Sequence, residues 1–195
     1  MKTVQVRNVI IGEGRPKICV PIVGQTKEEI LAEAGSFAEL PIDVVEWRAD
    51  WYEDVFDTDK VLETAKELNT VLKDTPILFT FRTAKEGGEK SISNEDYQNL
   101  NLTVAKSGLV DLIDVEAFTG DELVKEIITN AHKSNVKVVA SNHDFDKTPE
   151  KEELIRRLCK MQELDADIPK IAVMPTCRRD VLTLLDATLE MTESY

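Results

Sequence analysis

The chain has 195 residues, 42% hydrophobic and 31% charged, with a formal net charge of −13. That balance suits one globular domain with a sizeable core. Without a Lys/Arg cluster it argues against nucleic acid or an anionic membrane surface as partner, while local arginines still leave room for a small anionic substrate. The opening M-K-T-V-Q-V-R has no apolar signal core and no run approaches a membrane span; three scattered cysteines (Cys19, Cys159, Cys177) without C-x-x-C read as a reduced, cytoplasmic protein without structural zinc.

Val4 to Ile11 holds two short β-type runs that predict a hairpin (residues 3–12) ahead of the main fold. Lys17 to Val23 then reads as a strand ending at Gly24. Thr26 caps a helix with Glu28 and Glu29 in its first turn, running to about Ala38. Asp43 to Arg48 is the next strand, followed by a helix over Thr58 to Leu72. Pro76 to Arg82 is a third strand, and the loop Lys85-Glu86-Gly87-Gly88 leads to a helix over Asn94 to Lys106. Leu109 to Glu116 and Val136 to His143 are strands flanking a helix over Gly120 to Ser134. Thr148-Pro149-Glu150 predicts a helix start, with a cap and an N1 proline, running to Leu164. Asp167 to Met174 is the sixth strand of the main sheet, and Arg179 to Thr192 the last helix.

Six β–α units in strict alternation over residues 1–195, with no low-complexity linker, predict a single α/β domain with a parallel sheet and right-handed crossovers. A doubly wound open sheet and a (β/α)8 TIM barrel are the two architectures of that kind. Neither G-x-G-x-x-G nor G-x-x-x-x-G-K-[ST] follows a strand, which removes the usual nucleotide-fold signature.

Alternation along each strand separates the faces. One face carries Val44, Glu46 and Arg48; Leu78, Thr80 and Arg82; Leu112, Asp114 and Glu116; Val139, Ser141 and His143. Each set begins apolar and turns polar or ionisable toward the strand's C-terminal end. The opposite face is apolar, with Val45, Trp47, Phe79, Phe81, Ile113, Val115, Val138 and Ala140 suited to packing under helices. A barrel with its active site at the C-terminal mouth predicts this layout, and an open sheet does not require it.

In D-I-P-K-I-A-V-M, Asp167 to Met174, one lysine sits in an apolar strand, with Lys170, Ala172 and Met174 on one face. Read alone, Lys170 is a lysine snorkelling from a strand start. Held on the crowded interior face, it loses hydration, which lowers its pKa and makes the amine nucleophilic. His143, at the end of the neighbouring strand in S-N-H-D, supplies an acid/base partner, and two arginines suit a carboxylate. Glu46–Arg48 also reads as an internal ion pair, Asp114 and Glu116 as counter-charges for the cations, and His132, on a helix, as a surface residue. A metal-dependent barrel on Glu46, Asp114, Glu116 and His143 lacks any H-x-H or comparable ligand spacing.

With these motifs the chain resembles type I 3-dehydroquinate dehydratase. The carrying stretches are E-W-R-A-D (46–50), L-F-T-F-R-T-A-K-E-G-G-E (78–89), G-L-V-D-L-I-D-V-E (108–116), S-N-H-D-F (141–145) and K-I-A-V-M-P (170–175). The resemblance implies a (β/α)8 barrel with an N-terminal hairpin, no metal or organic cofactor, and a homodimer acting on 3-dehydroquinate, a small anion of the shikimate pathway. It implies that Lys170 forms the imine, His143 transfers protons, Glu86 orients that histidine, and Glu46, Trp47, Arg48 and Arg82 bind substrate. Two departures follow from the comparison. The first strand reads C-V-P-I, so Pro21 stands where the family often has a serine contact. The chain also stops after six units, which predicts a barrel lacking its last two β/α units, with weak turnover and exposed edges prone to association. A class I aldolase-like lyase and a weakly active or inactive remnant are the alternatives.

Overall fold

The computed structural model describes residues 3–37 and 40–195. β1 (Val4–Val6) and β2 (Val9–Ile11) form the expected antiparallel hairpin, with Val4 opposite Ile11 and Val6 opposite Val9. The main chain then alternates: β3 (Cys19–Ile22), α1 (Lys27–Ser36), β4 (Val44–Arg48), α2 (Thr58–Leu72), β5 (Ile77–Thr80), α3 (Asn94–Lys106), β6 (Leu112–Glu116), α4 (Asp121–Lys133), β7 (Lys137–Asp144), α5 (Lys151–Glu163), β8 (Ile168–Val173) and α6 (Arg178–Ser194). A 3-10 turn at Ala84–Glu86 follows β5.

All six strands of the main sheet are parallel, in the order β3-β4-β5-β6-β7-β8. Strand order therefore follows chain order without a reversal, so the doubly wound alternative, which requires a switch point, does not apply. The result is an α/β fold built on a curled parallel sheet with a small hairpin beside it. No helix among the described residues is long and apolar enough to cross a membrane.

Local sequence explains most element boundaries. Thr26 and Glu29 close a capping box on α1, and Asp57 and Ser93 cap α2 and α3 through their side chains. The predicted end of α1 at Ala38 lies outside the described residues. Several boundaries differ, among them the start of β6 at Leu112 rather than Leu109 and the narrower β3, and two of the differences have a clear physical cause. β5 stops at Thr80 because the Arg82 N–H donates to the Asp50 carboxylate (3.3 Å) instead of extending the ladder. α5 starts at Lys151 rather than at Pro149, because the Thr148 hydroxyl donates to the Met174 carbonyl (3.0 Å) and does not cap the helix.

The two faces of the sheet carry separate cores. Val45, Trp47, Phe79, Phe81, Ile113, Val115 and Val138 point outward into one apolar layer shared with Ile30, Leu68, Tyr97, Val104 and Ile127 of the helices. On the inner face, Val44, Leu78, Leu112 and Val139, flanked by Ile168, form a second cluster that Val4, Val6 and Ile11 of the hairpin cover. Arg7, at the hairpin turn, bonds Asp111 (2.6 Å) and the Lys73 carbonyl, fixing the hairpin over the N-terminal ends of the strands. The ionisable side chains Glu46, Arg82, Asp114, Glu116, His143 and Lys170 therefore lie beyond this apolar layer, toward the C-terminal ends.

Candidate active site

One step along each strand from the apolar inner layer stands a polar one. It contains Glu46 on β4, Thr80 on β5, Asp114 on β6, Ser141 on β7 and Lys170 on β8. Parallel register sets Ser141 directly beside Lys170. Lys170 Nζ donates to Asp114 Oδ2 (3.1 Å) and lies 3.5 Å from Glu46 Oε1. Thr80 Oγ1 donates to the same Glu46 oxygen (2.8 Å). Asp114, fully buried, accepts from Ser141 Oγ (2.6 Å) and Arg82 Nη2 (2.8 Å) on its other oxygen.

The next layer is Arg82, Glu116 and His143. Arg82 Nη1 donates to Glu116 Oε1 (3.1 Å) and Ser141 Oγ (2.9 Å), while Glu116 also accepts the Thr83 N–H and hydroxyl at 2.8 Å each. Glu86, on the 3-10 turn, accepts from the His143 backbone N–H (3.1 Å) and pairs with His143 Nδ1 (2.9 Å) through Oε2. The Phe145 ring stacks on His143 at 6.1 Å between centroids, 14° from parallel. Gly87 lies against Phe145. Its φ of +81° and a ring atom only 2.5 Å from where a Cβ would sit require glycine there.

The electrostatics correct one expectation. Burial pushes the Lys170 ammonium toward deprotonation, but Asp114 and Glu46 outweigh it, and its pKa rises. The resting side chain is thus an ammonium ion, opposite to the direction expected from an apolar strand. Asp114 shows the reverse balance: burial favours its protonated form, yet Arg82, Lys170 and the Ser141 hydrogen bond bring it down to about 2. At Glu116 burial prevails and the carboxyl is raised despite the Thr83 bonds. For Arg82, desolvation is more than offset by Asp114 and Glu116, so the guanidinium remains firmly charged.

Lys170, His143, Glu86, Glu46 and Arg82 thus converge on one end of the sheet. Trp47 does not. Its indole is fully buried on the outer face, edge-on to Phe79 (5.4 Å), and strand alternation keeps it from the polar interior, so a side-chain contact with substrate is ruled out. Arg48 is not paired with Glu46 as the sequence suggested. It grips Asp50 through Nε (2.8 Å) and Nη2 (2.9 Å). Asp50, with no exposed surface, also accepts the N–H groups of Arg82 and Glu89, so one carboxylate ties Arg48 to the loop carrying Glu86. The R-x-D spacing inside E-W-R-A-D was its only sequence signal. His132 lies in the last turn of α4 beside Asp167 (2.7 Å), near the N-terminal end of β8 and away from this cluster. Among the described residues no group of three His, Cys, Asp or Glu side chains could hold a metal ion.

The family model for type I 3-dehydroquinase matches residues 18–195. The chain belongs to that family. The 3-dehydroquinate dehydratase of Clostridium botulinum is 61% identical over 194 residues, covering 100% of this chain and 76% of that protein. The crystal structure of the type I 3-dehydroquinate dehydratase from Clostridium difficile with covalently modified comenic acid is 55% identical. It superposes with a TM-score of 0.98 over 100% of this chain and 77% of that one. An aldolase of known structure, 16% identical with a TM-score of 0.64 over 94% of this chain and 78% of its own, shares the fold alone. Membership in the type I 3-dehydroquinase family thus takes the place of the broader class I aldolase-like reading.

Proposed function

We propose that the chain dehydrates 3-dehydroquinate to 3-dehydroshikimate through a Schiff base on Lys170. Beside its family, the observation that carries this reading is a lysine on β8 adjoining a carboxylate-paired histidine on β7, both at the C-terminal end of one sheet. The neutral Lys170 amine adds to the C3 carbonyl, and the carbinolamine takes up one proton from solvent as its hydroxyl leaves as water, giving an iminium. That electron sink acidifies the C2 proton, which His143 Nε2 accepts while Nδ1 donates to Glu86. The enamine electrons then expel the C1 hydroxyl, which takes the proton back from His143 and leaves as water. Hydrolysis of the iminium returns product and lysine. Glu86 balances the imidazolium that forms between the two proton transfers.

Glu46, Arg48 and Arg82 are proposed to bind substrate in this scheme. Arg48 spends Nε and Nη2 on Asp50, which leaves Nη1 without a partner among the described residues and able to meet an anion. The same reading makes residues 1–195 one domain that includes the 3–12 hairpin. It also makes the six strands part of a (β/α)8 barrel, supported by relatives of which this chain covers 76% and 77% of the length. A homodimer, a cytoplasmic location and a reaction without metal or organic cofactor complete the proposal.

The experiment is borohydride reduction in the presence of 3-dehydroquinate, followed by peptide mass analysis. A substrate-derived mass on the peptide holding Lys170 is expected. Label on Lys137, which pairs with Asp167, or on Lys160, which pairs with Asp121 on the helical layer, would overturn the assignment.

A further inference from the structure

Strand β7 has a second face that the reaction as derived does not use. Alternation turns Asn142 and Asp144 away from the interior that Ser141 and His143 line, and both meet α5. Arg157 on that helix donates from Nη1 to Asn142 Oδ1 (2.9 Å), lies 3.4 Å from Asp144 Oδ2, and is steadied by its Nε bond to Glu153 (2.8 Å). At its other end Asn142 Nδ2 donates to Glu86 Oε1 (3.3 Å). The remaining oxygen of Glu86 takes both the backbone N–H and the Nδ1 of His143.

The direction of that amide is dictated by chemistry. A guanidinium only donates and a carboxylate only accepts, so the Asn142 carbonyl must face Arg157 and its NH2 must face Glu86. Remove Arg157 and the amide loses one of the two partners that fix this orientation, leaving Glu86 alone to hold it; turned over, it would set an acceptor against the carboxylate. An aspartate at 142 would do the same permanently.

We propose that Arg157, acting through Asn142, is a positioning residue for the Glu86–His143 pair. By occupying Oε1 of Glu86 the chain reserves Oε2 for His143. This holds the imidazole as its Nδ1–H tautomer, with Nε2 free to accept a proton. The consequence for rate rests on the dehydratase reading; the consequence for the tautomer does not.

The test combines two readouts on the whole chain. Protein labelled with 15N at histidine is examined by NMR at a pH where the ring is neutral, without substrate, in wild type, Arg157→Ala, Arg157→Lys and Asn142→Leu. Wild type is expected to show a protonated Nδ1 and an unprotonated Nε2 at His143, and the Arg157→Ala and Asn142→Leu variants a mixture of tautomers. In turnover assays Arg157→Ala is expected to lower kcat about tenfold, the equivalent of one lost hydrogen bond of about 1.4 kcal/mol, with KM within about twofold and borohydride trapping at Lys170 near the wild-type rate. Arg157→Lys, keeping one donor, should recover part of both. Thermal melts identify any variant that fails to fold, and Asn142→Leu with Arg157→Lys then carries the comparison. Wild-type tautomer populations in Arg157→Ala and Asn142→Leu would overturn the proposal. A tautomer shift in those variants, alongside a wild-type protein that does not dehydrate 3-dehydroquinate, would support the positioning role and sink the dehydratase reading.

Discussion

Lys170 Nζ stands 3.1 Å from Asp114 Oδ2; burial is the strongest single influence on the amine, but Asp114 together with Glu46 outweighs it and keeps the ammonium. Asp114 can play that part because Arg82 and Ser141 hold its other oxygen and keep it ionised. With the Lys170 pKa raised, the neutral amine becomes more plentiful as pH rises. The rate of borohydride-trapped adduct should therefore climb from neutral into alkaline solution. Asp114→Asn should move that climb to lower pH. A profile unaltered by the substitution would place control of the lysine proton elsewhere.

Asp114 also links stability to acid. Its folded pKa, about 2, lies below the ordinary 3.8, so its contribution to stability is present above about pH 4 and is lost as the pH falls toward 2. The amount is on the order of 2 kcal/mol. Urea unfolding at pH 6 and at pH 2.5 should show the stability gap between wild type and Asp114→Asn narrowing in acid. A constant gap would count against the linkage.

Replacing His143 by alanine should separate the two halves of the chemistry. The imine at Lys170 still forms, while proton abstraction falls on the order of 10²–10⁴-fold. Mass analysis after borohydride treatment and a turnover assay on the same sample read the two steps independently. Retention of most of the turnover would remove His143 from the proton path.

The loop that carries Glu86 tolerates no Cβ at two consecutive positions. A Cβ at Gly88 would fall 1.9 Å from the Arg82 carbonyl oxygen, and one at Gly87 would meet the Phe145 ring at 2.5 Å. Gly88→Ala should be the more harmful, because backbone yields less than a ring. The clash at Gly87 should be partly relieved in a Phe145→Ala background, leaving a residual cost of about 1 kcal/mol for the left-handed backbone. Thermal melts of the two single variants and the Gly87/Phe145 double variant decide this; equal cost of Gly87→Ala in both backgrounds would refute it.

Trp47→Phe probes the outer layer. The indole packs edge-on to Phe79, and its Nε1 is buried with no hydrogen-bond partner. Loss of volume and removal of an unsatisfied donor oppose each other, so stability should fall by no more than about 2 kcal/mol. kcat and KM should stay within twofold, since the side chain faces the helices. A large rise in KM would contradict its placement.

Much of the fold was legible because the strand pattern is unusually clean. Val44-Glu46-Arg48 and its three counterparts turn from apolar to ionisable in step, which fixed both the faces and the end where chemistry would gather. Helix limits at Thr58, Leu72, Asn94 and Lys106 followed from caps and apolar spacing. The charge of Lys170 was not legible, because it depends on how near Asp114 and Glu46 come once six strands are aligned. Arg48 found Asp50 rather than Glu46 for a related reason: alternation assigns a face, but ion pairs form wherever a buried carboxylate ends up. Trp47 was drawn into the site by its place in E-W-R, although its own alternation had already put it outside. Arg157 carried no signal, since its partners Asn142 and Asp144 sit on the face of β7 that reads as packing surface.

The carboxylates around Lys170 have a consequence for the amine between turnovers. An ammonium and an iminium carry the same single positive charge at the same nitrogen. The surroundings that suit the resting lysine therefore also suit the bound intermediate, and their dipoles need little reorganisation between the two. The neutral amine is the disfavoured state, visited only briefly. A lysine kept in that condition is a poor target for stray aldehydes, reducing sugars and cyanate, which attack free amines wherever they meet them. The contact that delays the first step also guards the nucleophile.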